Sequence, residues 1–306
     1  MHDRDSLHRF MFEHFPIRGH LVHLDAAWRA LIEHADYPTA IRDTLGEAVA
    51  ASLLLSATIK FEGVLSLQLQ GDGPVHLMLV QCTSGLGVRG LARYRQDERT
   101  DASALTGSIA NLIGTGNLTV TLEPDDRSQR YQGIVPITGQ RLADSLQVYF
   151  ENSEQLPTRL WLHADAQGAS GMLLQKLPAA NAAPGESPVD VAAIDDAWRR
   201  VQLIAETLTP EEMRMLTDAE ILHRLFNEDD VRLFEPAPVY FRCRCSRERV
   251  SGMLQGLGET ETRSILAERG EVEVRCDFCN RAYLFDAVDV GQLFNAGVAS
   301  ERGSVH

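Results

Sequence analysis

Apolar and polar positions alternate clearly in "IRGHLVHL" (residues 17–24), and that period predicts a strand. Asp25 follows directly and is placed to cap a helix over about Ala26 to Glu33. From Pro38 the period changes. Ile41, Leu45, Ala48, Val49, Ser52, Leu53 and Ile59 recur at helical spacing and predict a second helix. Next, "LSLQLQ" and "VHLMLVQ" alternate on either side of Gly-Asp-Gly-Pro, a hairpin signal. "VRGLARY", "NLTVTLEP", "RYQGIVPI", "TRLWLHA" and "GMLLQKL" extend the series, with a helix near 140–151 between two of them. Strands this close in sequence imply an α+β fold with a largely antiparallel sheet and packed helices, over residues 1–178.

The pattern then breaks. "PAANAAPGESPVDV" (178–191) is small and Pro-rich, as linkers are. Beyond it Ile194, Trp198, Val201, Ala205 and Leu208 mark one helical face. Thr209-Pro210-Glu211-Glu212 and Thr217-Asp218-Ala219-Glu220 are capping boxes that start two short helices. Residues 179–235 therefore read as a helical, metastable linker. It is strongly acidic: residues 181–235 hold 13 acids and 5 arginines. A small cysteine unit is expected at 236–290 and a tail at 291–306.

Charge narrows the partners. The net charge is −14, and Lys60 and Lys176 are the only lysines. Such a chain is a poor sequence-independent ligand for nucleic acid or anionic lipid, so neither nucleic acid nor membrane is an expected partner. The N-terminal "MHDRDSLHRFMFEHF" lacks the apolar run of an export signal. The longest apolar run, "AVAASLLLSATI" (48–59), reads as a buried helix rather than a membrane span. The expected location is the cytoplasm, where thiols stay reduced and clustered cysteines favour metal or redox chemistry.

Four of the five cysteines fall in "YFRCRCSRERV" and "VRCDFCNRAY". "VYFRCRC" is strand-like, and residues i and i+2 of a strand face one way, so Cys243 and Cys245 can aim at one point. Cys276 and Cys279 do the same across a tight turn. Together they offer four soft thiolates, a tetrahedral zinc set. A unit of this size buries too little to fold securely alone, so a passive zinc clip is one reading. A switch is another. Oxidation would destroy an all-thiolate site, and Arg242, Arg244, Arg247, Arg249, Arg275 and Arg281 would keep released thiols ionised. The same arginines leave an RNA-binding zinc ribbon open as a third. Cys82 stands apart and reads as a buried, inert thiol.

Enzyme signals are missing. There is no Gly-x-Ser-x-Gly, His-Glu-x-x-His or Walker loop, and "GTGNL" (114–118) lacks the rest of a dinucleotide fingerprint. His20 and His23, in a strand, read as surface or satisfied core residues. Four cysteines would also close a zinc against substrate.

The spacing Cys-x-Cys, about 30 residues, Cys-x-x-Cys in "CRCSRERV…SILAERGEVEVRCDFCNRAYLF" closely resembles the heat shock protein 33 family of redox-regulated holdase chaperones. "LHRFMFEHFPIRGHLV", "LQLQGDGPVHLM", "VRGLAR", "RYQGIVPI" and "YFENSEQLPTRLWL" carry the resemblance over nearly the whole chain. The resemblance implies a bacterial cytoplasmic protein, not an enzyme, with one zinc on Cys243, Cys245, Cys276 and Cys279 while reduced and inactive. It further implies disulfides Cys243–Cys245 and Cys276–Cys279 on oxidation, zinc release, unfolding of the C-terminal unit, and homodimers that bind unfolding client proteins without ATP.

Overall fold

Asp5 starts the fold by joining two elements far apart in sequence. In the computed structural model, which describes residues 4–95, 108–126, 129–178 and 191–295, β1 (Ser6–Phe12) pairs antiparallel with β2 (Ile17–Leu24). That pairing sets Asp5 beside the end of β2, where α1 (Ala26–Ile32) begins. Asp5 Oδ1 accepts from the amides of Asp25 and Ala27, both at 2.9 Å, and its Oδ2 from that of Ala26 at 3.0 Å. The Asp25 side chain, expected to cap this helix, makes no capping bond. The partner carboxylate arrives from the neighbouring strand and takes the same donors.

The chain divides into two compact units, Met1–Arg242 and Cys243–His306. In the first, α2 (Thr39–Thr58) is followed by β3 (Gly63–Gly71), β4 (Val75–Thr83) and β5 (Gly87–Tyr94). Then come α3 (Ile109–Ile113), β6 (Gly116–Pro124), β7 (Tyr131–Pro136) and α4 (Leu142–Tyr149), which runs into a π turn at Phe150–Glu154. Strands β8 (Thr158–Ala164) and β9 (Ala169–Lys176) precede helices α5 (Val191–Ala205), α6 (Pro210–Met215) and α7 (Asp218–Phe226). Short strands β10 (Val231–Leu233), β11 (Ala237–Pro238) and β12 (Tyr240–Phe241) close the unit. The spacer 179–190 and the tail beyond 295 lie outside the described residues.

Two sheets result. One has the order β10-β1-β2-β9-β8, with β11 also on β1; the other runs β12-β5-β4-β3-β6-β7. Every pairing is antiparallel except β12 with β5, in keeping with the antiparallel α+β fold read from the sequence. Helix α2 touches strands of both sheets, and its residues 48–56 are buried on every side. Its small residues permit that. A Cβ on Gly46 would come within 2.4 Å of Ala164, so only glycine lets strand and helix approach this closely.

The first sheet is apolar on both faces. Val22, Leu24 and Leu173 point toward α2, whereas Phe10, Phe12, Ile17, Leu21, Met172 and Leu174 point away. The outward set is covered by Trp198 and Val201 of α5, Met213 of α6, and Ile221, Leu225 and Phe226 of α7. Phe12 and Phe226 meet edge to face with centroids 5.1 Å apart. Gly19 leaves room for the Phe10 ring, which a Cβ there would hit at 2.1 Å. The stripe Ile194, Trp198, Val201, Ala205 and Leu208 is buried throughout. Its larger aliphatic side chains contribute roughly 1.5–3 kcal/mol each, offset by the cost of ordering the helices. Both capping boxes form, Thr209 with Glu212 and Thr217 with Glu220. Further polar ties hold the cover: Lys176 to Asp195, and Arg4 to the Arg214 carbonyl and, at 3.0 Å, to that of Met215. Cys82 is fully buried in β4, and burial pushes its thiol up to about 12, as suits an inert core residue.

Asp5→Ala should cost the first unit about 1–2 kcal/mol, the cost of losing a good helix cap. Urea unfolding followed by tryptophan fluorescence measures it.

Candidate metal centre

The second unit contains α8 (Arg247–Leu257), α9 (Glu259–Arg269), the hairpin β13 (Val272–Arg275) with β14 (Ala282–Phe285), and α10 (Ala287–Asn295). Its core is small: Val250, Leu254, Val272, Tyr283, Phe285 and Val290. Arg247 supplements it. It stacks on Phe285 at 4.2 Å, pairs with Asp289 at 2.7 Å and donates to the Leu284 carbonyl at 2.8 Å. One side chain thus ties α8, β14 and α10 together.

Cys276 and Cys279 sit in the hairpin turn. The Cys276 amide donates to the Arg281 carbonyl at 3.0 Å, and the Asn280 amide to the Cys276 carbonyl at 2.8 Å. Asn280 takes a left-handed φ of 53°, which asparagine tolerates. Amides of Phe278 and Cys279 then point at the Cys276 sulfur, and that of Arg281 at Cys279. The other pair is placed differently from expectation. Strand pairing ends where the Arg242 amide donates to Val88, at 2.9 Å, so Cys243 and Cys245 lie on irregular backbone. Ser246 then caps α8, and the amide and thiol of Cys245 face the Cys243 sulfur.

The four sulfurs converge. Sγ separations are 3.4 Å for Cys243–Cys245, 3.5 Å for Cys243–Cys276 and 3.4 Å for Cys245–Cys279, and all four lie within 4.8 Å of one another. A disulfide needs about 2.05 Å. A tetrahedral ion with bonds of about 2.3 Å spaces its sulfurs about 3.8 Å apart. The cluster has the size of a metal cage, and the four cysteines can hold a metal ion.

Electrostatics agree. Burial raises the Cys243 thiol, but the Cys245 amide and the neighbouring thiols outweigh it and bring the group down to about 7. Burial, and hydrogen bonds with the neighbouring thiols, push Cys276 and Cys279 up, and the charge on Cys243 adds to this at Cys276. Without a cation the cluster thus favours one thiolate solvated by its neighbours. Four thiolates at this spacing require a cation. The Tyr283 hydroxyl donates to Cys245 at 3.1 Å and orients it. Arg281 faces Tyr283 and the sulfurs of Cys245 and Cys279, which raise its pKa, the hydrogen bond with Tyr283 foremost. The other arginines of the cluster are partly spent elsewhere: Arg275 on Glu273 at 2.5 Å, and Arg249 on the Arg244 carbonyl at 3.0 Å.

A family model described as Hsp33 protein matches residues 5–286. The chain belongs to the Hsp33 family. It is 48% identical over 298 residues to the 33 kDa chaperonin of Nitrosococcus oceani, covering 97% of each chain. It is 45% identical to that of Methylobacillus flagellatus, covering 98% of each. The solved Hsp33 homologue of Thermotoga maritima has the same fold, with a TM-score of 0.77 at 21% identity over 96% of this chain and 99% of that one. No described helix is long and apolar enough to cross a membrane.

The four cysteines expected from their spacing meet in the cage, whereas Tyr283 was not among the expected site residues. Its signal was present: Tyr283 and Phe285 alternate on β14 and both face inward. Tyr283→Phe should weaken metal binding by roughly 10–100-fold, as expected when a ligand loses its orienting partner. Competition with a chromogenic chelator measures this. Metal uptake should also release protons and weaken as pH falls, because each sulfur must be deprotonated to bind. Titration calorimetry in two buffers of different ionisation enthalpy checks it.

Proposed function

We propose that the protein is a redox-regulated, ATP-independent holdase of the bacterial cytoplasm. In the reduced state Cys243, Cys245, Cys276 and Cys279 hold one zinc ion, for which four thiolates are a well-matched donor set. Zinc supplies folding free energy that the six-residue core of the second unit lacks. Two molecules of peroxide and four protons convert four thiolates to two disulfides and four waters. Each disulfide removes two ligand sulfurs, so the ion is freed and the unit unfolds.

The observation that carries the reading is the cover of α5–α7 on the first sheet. It buries a large apolar face, yet two of its three helices are short and all lie in an acidic stretch. Strand β12, which edges the second sheet beside β5, ends two residues before Cys243, so the cysteine unit is joined to the first unit by a very short connection. When the cover detaches, its own stripe and the face beneath become available to unfolding client proteins. Homodimerisation of the oxidised protein completes the active form. Charge argues against the RNA-ribbon alternative, as does the pairing of Arg247 and Arg275 with acids.

The disulfides we propose are Cys243–Cys245 and Cys276–Cys279. In the folded cage cross-pairs are as close as Cys243 and Cys245. Once the cage opens, short loops favour local partners. The Cys-x-Cys ring is small and strained, so Cys276–Cys279 should form first. Peptide mapping after brief oxidation decides the pairing, and a dominant Cys245–Cys276 link would contradict it.

Light scattering of a heat-unfolding client tests the function. Peroxide-treated protein should suppress aggregation, and reduced protein should not. Equal suppression by both, or by neither, would overturn the reading. Trp198→Ala, which empties a core position of the cover, should give partial suppression while still reduced and metal-bound. Its expected cost of about 3–5 kcal/mol falls on docking of the cover.

A further inference from the structure

Three titratable side chains meet beneath α7, outside the metal centre. His8 on β1 and His23 on β2 project from the face of the sheet that α5–α7 cover. Asp218, the first residue of α7, reaches between them. Its Oδ1 lies 2.7 Å from His23 Nδ1 and its Oδ2 2.5 Å from His8 Nδ1. Asp218 and His23 are only 6% and 7% exposed. On its other side His23 Nε2 lies 2.7 Å from the carbonyl oxygen of Met213 in α6. A carboxylate and a carbonyl can only accept hydrogen bonds. His23 Nε2 therefore donates to the Met213 carbonyl, and the approach of Nδ1 to the buried carboxylate favours a second ring proton, the imidazolium. A neutral ring would turn a lone pair toward the carboxylate oxygen 2.7 Å away, at the wall of a cavity that His8, His23 and Asp218 line together with Arg4, Thr217 and Pro236.

We propose that His8, His23 and Asp218 form a proton-gated latch: α6 and α7 dock on the sheet with His23 protonated, and rising pH removes that proton and loosens them while the metal centre keeps its ligands.

The direction follows from linkage. Burial lowers the His23 pKa, but the hydrogen bond and charge of Asp218 and the Met213 carbonyl outweigh it, and the net shift is upward. Burial likewise raises Asp218, yet bonds from His23 and His8 bring it down to about 2. Free histidine titrates near about 6.5 and free aspartate near about 3.9. The His23 contribution to docking is complete below about pH 6.5 and is lost as pH rises through the raised, docked value. The Asp218 contribution is present above about pH 4 and is lost as pH falls toward about 2. Arg4, Asp25, His163, Asp165 and Arg214 line the space beside His23. Arg4 opposes the imidazolium charge, while Asp165 lies 3.9 Å from Arg214 and 4.0 Å from His163.

The latch rests on the proposed reading of α5–α7 as a detachable cover, and its test reads docking rather than aggregation. Hydrogen exchange of the reduced, metal-loaded full chain is measured from about pH 6 to about pH 9, corrected for intrinsic rates. Protection of residues 210–226, relative to residues 17–24, should fall roughly threefold or more with metal content constant. In Asp218→Asn protection should be lower and flat with pH. NMR of the His23 ring in the unmodified protein should show both nitrogens protonated at about pH 6, and needs no variant to fold. A flat profile in the unmodified protein, a neutral His23 ring, or loss of protection only after metal loss would each overturn the latch. A flat profile beside oxidation-activated holdase activity would sink the latch and leave the function standing. A pH-dependent profile without holdase activity would do the reverse.

Discussion

The first sheet has an apolar face that must be covered. Strands β1, β2 and β9 place Phe10, Phe12, Ile17, Leu21, Met172 and Leu174 on the side away from α2, and water would meet them there if α5–α7 were absent. The opposite face is filled by α2, which is buried on every side and sandwiched by the second sheet. The two covers differ physically. Helix α2 is long, small-residued and neutral in its core. Helices α6 and α7 are short, spanning only Pro210–Met215 and Asp218–Phe226. They owe their order to the burial they provide and to polar ties at their ends, because helices this short are marginal alone. Cover and sheet are therefore mutually dependent, and the proposed function requires the cover to be the part with the smaller margin.

The cysteine unit meets the opposite constraint, too little apolar surface. Six buried residues and an arginine clasp do not make a secure core. Convergence of four sulfurs, with backbone amides and Tyr283 turned toward them, offers a different source of stability, one that depends on the oxidation state of sulfur. A fold stabilised this way is conditional by construction. In the proposed function this condition is what the rest of the chain responds to.

Much of this was legible in the sequence because periodicity reports directly on faces. The Gly-Asp-Gly-Pro hairpin, the α5 stripe from Ile194 to Ala205 and both Thr-Glu capping boxes formed where their patterns predicted, and Leu208 is buried just past the end of α5. The four cysteines were legible from spacing, and they meet. What was hidden depends on contacts distant in sequence. The Asp25 cap failed because Asp5, twenty residues earlier, takes the same amides. The strand through Cys243 and Cys245 failed because pairing with β5 stops at Arg242. His23 reads as a satisfied core residue, which it is, but its partners Asp218 and Met213 lie about two hundred residues downstream and no local pattern names them.

In the proposed function α5–α7 form a reversible cover released by cysteine oxidation. Hydrogen exchange of the full chain before and after peroxide treatment tests that most directly. Oxidation should deprotect residues 191–226 far more than strands β2, β3 and β9, leaving the α2 sandwich folded. Protection of residues 191–226 unchanged by oxidation, in protein that nevertheless prevents aggregation, would contradict it and place the client-binding surface elsewhere.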